Sequence, residues 1–153
     1  MIKPVYDARR VHVLDTAAVY HLARYHRPPL WRELAEPGQE VFIPAIVLLE
    51  AEQAEPIAKK RLEALEEYAQ VDERLPRRLL EKASAALRSV ERERCSTCSG
   101  FPRPSLVDAV VVVYAASIAE GDGRVTVEVH TDDVVDLERV AKTLGARLTV
   151  RKC

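Results

Sequence analysis

The sequence predicts an α/β fold built on a mainly parallel sheet. Two patterns carry that prediction. Short apolar runs alternate along the chain with longer segments whose apolar residues recur at helical spacing. The first apolar run also ends on a carboxylate, Asp15, just where a helix begins. In an open α/β sheet that strand end borders the crevice where ligands bind.

Residues 1–9 read as a short leader, and residues 10–14 as the first strand. A helix follows Asp15, with Thr16 as its candidate cap. It stops at Arg27-Pro28-Pro29, because proline cannot continue a helix. A second short helix covers residues 30–36 and stops at Pro37-Gly38; residues 40–43 form the second strand. Pro44 then opens a helix carrying Ile46-Val47-Leu48-Leu49-Glu50, a favoured place for proline. Pro56 restarts helix over residues 57–69, where Leu62, Leu65, Tyr68 and Ala69 share a face opposite Lys and Glu. Val71 marks a very short strand. Pro76 opens a helix over residues 77–94, with Leu79, Leu80, Ala83 and Leu87 inward. These two charged helices suggest a hairpin projecting from the sheet, its charges solvated.

Residues 95–103 read as a loop, and Pro104-Ser105 opens an apolar helix over residues 106–119. Its β-branched run also suits a strand. Helix is preferred because Leu106, Ala109, Val110, Val113, Ala116 and Ser117 recur at helical spacing. Gly121 and Gly123 mark a turn before a strand at residues 125–130. A helix over residues 134–144 stops at Gly145, and residues 148–150 form a last strand. No internal repeat or linker divides the chain, so one domain over residues 1–153 is expected.

Composition narrows the function classes. A chain of 153 residues that is 48% hydrophobic suits a single core. With 23 basic against 24 acidic residues, no global field attracts nucleic acid or membrane, so any nucleic-acid contact rests on a local patch. The longest apolar run, residues 109–116, is too short to span a bilayer, and no secretory leader is visible. A soluble, cytoplasmic protein is expected. Abundant charge with no Asn, three Gln and one Met points to a heat-adapted source, although GC-rich coding gives a similar bias. Three cysteines make no disulfide framework. Cys95-x-x-Cys98 reads either as a disulfide or as two free thiols in a loop. With Cys153 as a third sulfur, zinc still lacks a fourth ligand. His12, His21, His26 and His130 form no spaced ligand motif and read as ordinary strand, helix or surface residues.

Four acids sit beside or inside apolar sequence: Asp15, Glu50, Asp108 and Asp133. Burying an ionised carboxylate is costly unless it is paired or metal-bound. Each acid has a bland reading. Asp15 and Asp133 suit helix caps, Glu50 an exposed helix edge, and Asp108 a first helical turn where acids favour the dipole. All four share one trait, however. Two lie at C-terminal strand ends, and two lie in early helical turns able to reach the same crevice.

The pattern resembles the PIN domain, in particular the compact ribonuclease toxins of VapBC pairs. His12-Val13-Leu14-Asp15-Thr16 is similar to the family's first motif. Ile43-Pro44-Ala45-Ile46-Val47-Leu48-Leu49-Glu50 is similar to the second, and Pro104-Ser105-Leu106-Val107-Asp108-Ala109 to the third. Thr131-Asp132-Asp133-Val134-Val135-Asp136 resembles the fourth, with Asp132 where Arg is common and Leu137 where an aromatic is common. Asp132 and Asp136 are therefore alternatives to Asp133. The resemblance spans about residues 10–150 and implies a three-layer sandwich around the sheet.

It also implies a metal-dependent endoribonuclease leaving a 5′-phosphate and a 3′-hydroxyl. Hard oxygen ligands suit Mg²⁺ or Mn²⁺. Asp15 and Asp108 are then the direct ligands, and Glu50 and Asp133 hold a second ion or metal-bound waters. Thr16 and Thr131 orient water or phosphate, with Asp136 as a supporting acid. Arg10, Arg24, Arg27 and Arg103 are candidate contacts to the RNA backbone, each also readable as an ordinary surface residue. As partners the resemblance implies a second copy of the chain and a small antitoxin. The antitoxin would dock on exposed apolar helix surface before Pro56 or around residues 57–68. The competing readings are a catalytically silent PIN-like scaffold in RNA processing and a phosphoacceptor signalling domain.

Overall fold

The computed structural model describes residues 9–24, 29–92 and 104–153. Five strands form one sheet: β1 (Arg10–Leu14), β2 (Gln39–Pro44), β3 (Gln70–Asp72), β4 (Thr126–Thr131) and β5 (Thr149–Lys152). Their order is β3-β2-β1-β4-β5, and every neighbouring pair is parallel. Parallel pairing demands crossovers, and helices supply them. Helices α1 (Thr16–Arg24) and α2 (Pro29–Leu34) lead from β1 to β2, and α3 (Ala45–Ala54) and α4 (Lys59–Glu66) lead on to β3. Helices α5 (Arg77–Arg92) and α6 (Leu106–Gly121) carry the chain back over the sheet to β4, and α7 (Val134–Leu144) links β4 to β5.

The direction of travel reverses after β3. Right-handed crossovers therefore place α1–α4 on one face and α5–α7 on the other. The packing agrees: α1 meets α3 and α4, while α5, α6 and α7 meet one another. The reversal makes the gap between the C-terminal ends of β1 and β4 a topological switch point, the usual ligand crevice of such sheets.

Helix α6 explains its own ambiguous sequence. It is buried on nearly every side, from Ala109 through Ala116, because the sheet lies beneath it and α5 and α7 flank it. A helix apolar all round needs that position. Its start is set by a capping box. The Asp108 amide donates to Ser105 Oγ at 3.0 Å, and the Ser105 amide donates to Asp108 Oδ2 at 2.7 Å. Gly145 ends α7 in the left-handed region at φ 60°, where glycine carries no steric penalty.

Two expectations change. Helices α4 and α5 do not project as a hairpin. β3 separates them and pairs with β2, and they pack on different neighbours, α4 on α1 and α5 on α6 and α7. The cap of α1 is Asp15, whose Oδ1 accepts from the Ala18 amide at 3.0 Å, and Thr16 is the first helical residue. Among the described residues no helix is long and apolar enough to cross a membrane.

Candidate active site

Asp15 stands at the switch point. Its amide donates to the His130 carbonyl at 3.2 Å, which extends the β1–β4 ladder by one step. Its side chain is 6% exposed. Burial raises its pKa from 3.8 to about 6, against hydrogen bonds from the Thr131 hydroxyl and the Ala18 amide, and the nearby charge of Asp108 pushes the same way. Thr131, fully buried at the end of β4, also accepts the Asp133 amide at 2.9 Å. One hydroxyl thus ties Asp15 to the start of α7.

Asp108 lies in the first turn of α6, where its Oδ2 accepts from the Ser105 amide at 2.7 Å. Asp136, in the first turn of α7, is also 6% exposed, and its pKa is raised to about 6. Burial is the main cause, and Asp133 and Asp108 add to it, while Arg139 opposes. Asp133 is exposed and caps α7, accepting the Asp136 amide at 3.4 Å. Glu50 enters from α3, where the Thr16 hydroxyl donates to its Oε1 at 2.9 Å.

The fold therefore brings Asp108 within electrostatic reach of both Asp15 and Asp136. Asp133 joins through Asp136, and Glu50 through Thr16. Asp132 is exposed and lies near Cys153, whose half-buried thiol is free. Burial, with Asp15 and Asp132 nearby, raises that thiol to about 11, so it stays protonated at neutral pH.

The candidate RNA-binding arginines fare differently. Arg27 and Arg103 lie outside the described residues, as does the Arg24 side chain, and Cys95 and Cys98 fall there too. Arg10 donates to Glu33 at 3.2 Å and to both Glu128 oxygens at 3.1 Å. Arg151 bridges the same two acids, meeting Glu128 at 3.1 Å. Arg10 is thus part of an internal ion-pair network, and its charge is neutralised within the fold.

Beneath that network sit two histidines that the sequence reading passed over as ordinary. His12 and His130 are fully buried with stacked rings, and His12 Nδ1 lies 2.8 Å from His130 Nε2. A sequence signal for this network did exist. Arg10 and His12 alternate with valines in β1, and Glu128 and His130 do so in β4. A polar residue at every second position of two neighbouring strands marks one shared polar face.

The sequence matches no family model and no curated protein. A solved structure resembles this one in fold. It is a chain of VapBC-1 from nontypeable Haemophilus influenzae, with a TM-score of 0.60 at 15% sequence identity, over 93% of this chain and 97% of that one.

Proposed function

We propose that this chain is a divalent-metal-dependent endoribonuclease of the PIN type, cleaving RNA at the Asp15 pocket. One observation carries the reading. Asp15 and Asp136 are both buried near the switch point, each within reach of the charge of Asp108, so burial first and that neighbouring acid second make both hold their protons more tightly than usual. Carboxylates gathered this way are stabilised by a hard divalent cation. A Mg²⁺ or Mn²⁺ ion bound there supplies polarisation of the scissile phosphate and a water of lowered pKa.

The chain's own residues set up that chemistry. Asp15 and Asp108 hold the ion, and each already has one oxygen fixed by a backbone amide. The Thr131 hydroxyl keeps Asp15 oriented, and Thr16 does the same for Glu50. Asp136 takes the place first given to Asp133, because it is the buried member of the pair. RNA cleavage leaving a 5′-phosphate is what the resemblance to PIN nucleases implies.

The likeness to a chain of a VapBC structure supports an antitoxin partner. Among the described residues five large apolar side chains are exposed, and three of them, Leu49, Leu106 and Val135, lie on the helices that carry Glu50, Asp108 and Asp136, which offers such a partner apolar surface.

The test is cleavage of a mixed-sequence RNA with Mn²⁺, with EDTA, and with the Asp15→Asn variant. Cleavage that needs Mn²⁺ and is lost in a folded Asp15→Asn protein is the expected result. Full activity in that variant overturns the assignment. Absence of both cleavage and Mn²⁺ binding in the folded wild type would favour the silent scaffold.

A further inference from the structure

A second set of ligand atoms lies on the opposite face of the strands that carry the acidic pocket. His12 Nδ1 is 2.8 Å from His130 Nε2 and 3.4 Å from Glu128 Oε2, and one ligand atom from each of the three residues lies within 4.8 Å of the others. We propose that His12, Glu128 and His130 form a separate metal site that takes one borderline divalent transition ion of the Zn²⁺ type.

The donor set selects the ion. Two imidazole nitrogens and one carboxylate oxygen match three-ligand zinc sites, and imidazole favours Zn²⁺ over the hard ions suited to the carboxylate pocket. His12 Nε2 donates to Gln39 Oε1 at 2.6 Å, so Nδ1 is the acceptor of the 2.8 Å contact and His130 Nε2 its donor; an ion takes that proton's place once the His130 proton moves to its other ring nitrogen. The hydrogen bond to Gln39 is the support metal-bound histidines usually have.

The spacing is close to what an ion needs. Tetrahedral coordination at zinc–nitrogen distances of about 2.0–2.1 Å separates the two nitrogens by roughly 3.3 Å, so the rings part by about half an ångström. Both guanidiniums that hold Glu128, Arg10 and Arg151, bind Glu33 as well and keep a partner when Glu128 turns toward an ion.

The site has a structural consequence. His12 lies on β1, and Glu128 and His130 lie on β4, with His12 paired to Glu128 and Leu14 to His130 in the register. An ion here cross-links the two strands that end in Asp15 and Thr131. Strand alternation separates the two sites, with His12, Glu128 and His130 facing α1 and α2 and Asp15 and Thr131 facing α6.

The experiment is a Co²⁺ titration followed by visible ligand-field absorption, run on the Asp15→Asn background to weaken the acidic pocket. Expected are one equivalent of Co²⁺ with tetrahedral bands, displacement by one equivalent of Zn²⁺, and loss of the bands in Glu128→Gln. Gln39→Ala should weaken binding by about 10-fold or more. Both replaced side chains are only half-buried, so these variants serve even if a His130→Asn protein fails to fold. No tetrahedral bands on the Asp15→Asn background, or bands unchanged in both variants, would overturn the site.

Discussion

On one face of β1 and β4, Glu33 and Glu128 meet Arg10 and Arg151; beyond the other, Asp15 and Asp136 each feel the charge of Asp108. The consequences for the protons are opposite. The Arg151 hydrogen bond holds Glu33 below its ordinary pKa, and Arg10 and Arg151 hold Glu128 down despite its burial. Burial and neighbouring acids hold Asp15 and Asp136 up. The glutamates are partly buried and the aspartates more fully so, yet the partners at hand, not burial alone, set the direction of each shift. On the matched side the glutamates find opposite charges within the fold, whereas on the unmatched side Asp15 and Asp136 are pushed up by burial and by neighbouring acids, and that makes their end of the strands the candidate site of chemistry.

The largest effect expected on the unmatched side separates Asp136 from Asp133. Asp136→Asn removes a buried charge from the pocket, and RNA cleavage should fall by more than the roughly 10- to 100-fold that loss of a supporting partner costs. Asp133→Asn keeps the helix cap, because Asn caps about as well as Asp. Its cleavage rate should stay within about tenfold of wild type, less than the loss of a direct ligand. Rate measurements on the two purified variants decide the assignment, and the reverse ranking would return the fourth carboxylate to Asp133.

On the matched side the expected effect is on stability. Glu128→Ala leaves Arg10 and Arg151 sharing Glu33 alone above two buried histidines. Both guanidiniums are nearly 40% exposed, so water compensates part of the loss. The cost should be about 1–3 kcal/mol, toward the lower end of what broken buried pairs show. Urea unfolding measures it. A cost near zero would mean that the network is no better than a surface ion pair.

How far each face could be read in advance depends on whether its signal is local. Strand β1 and helix α7 were legible to the residue, because Val11-His12-Val13-Leu14 is a dense apolar run and Gly145 is a strong stop. Asp15 and Asp108 were legible for the same reason, as acids at apolar boundaries. The other face is assembled from distant pieces. Glu33 and Arg151 are 118 residues apart, as are His12 and His130. The parallel registers of β1 with β4 and of β4 with β5 bring them together. The choice between Asp136 and Asp133 was open for a different reason. It depends on which side of the first turn of α7 packs inward, and two acids three residues apart look equivalent until that packing is known.

The smallest expected effect sets the cost of the unmatched face directly. In the unfolded chain Asp15 ionises near pH 3.8, and in the folded protein only near pH 6. Between those values the folded state binds more protons, so metal-free protein loses stability as pH rises through that window and keeps the full cost above about pH 6. A change from 3.8 to about 6 corresponds to roughly 3 kcal/mol at most. Asp15→Asn removes the charge but not without loss. The carboxylate accepts from both Thr131 and Ala18, and an amide offers only one accepting oxygen. The net gain for Asn should therefore be about 1 kcal/mol at pH 7.5 and absent near pH 4, after the cost of one unpaired donor. Urea unfolding in EDTA at the two pH values measures it, and adding Mn²⁺ at pH 7.5 should reverse the ranking by stabilising only the wild type. Equal stability of the two proteins at pH 7.5 would show that the carboxylates do not strain the fold, and the contrast between the faces would fail.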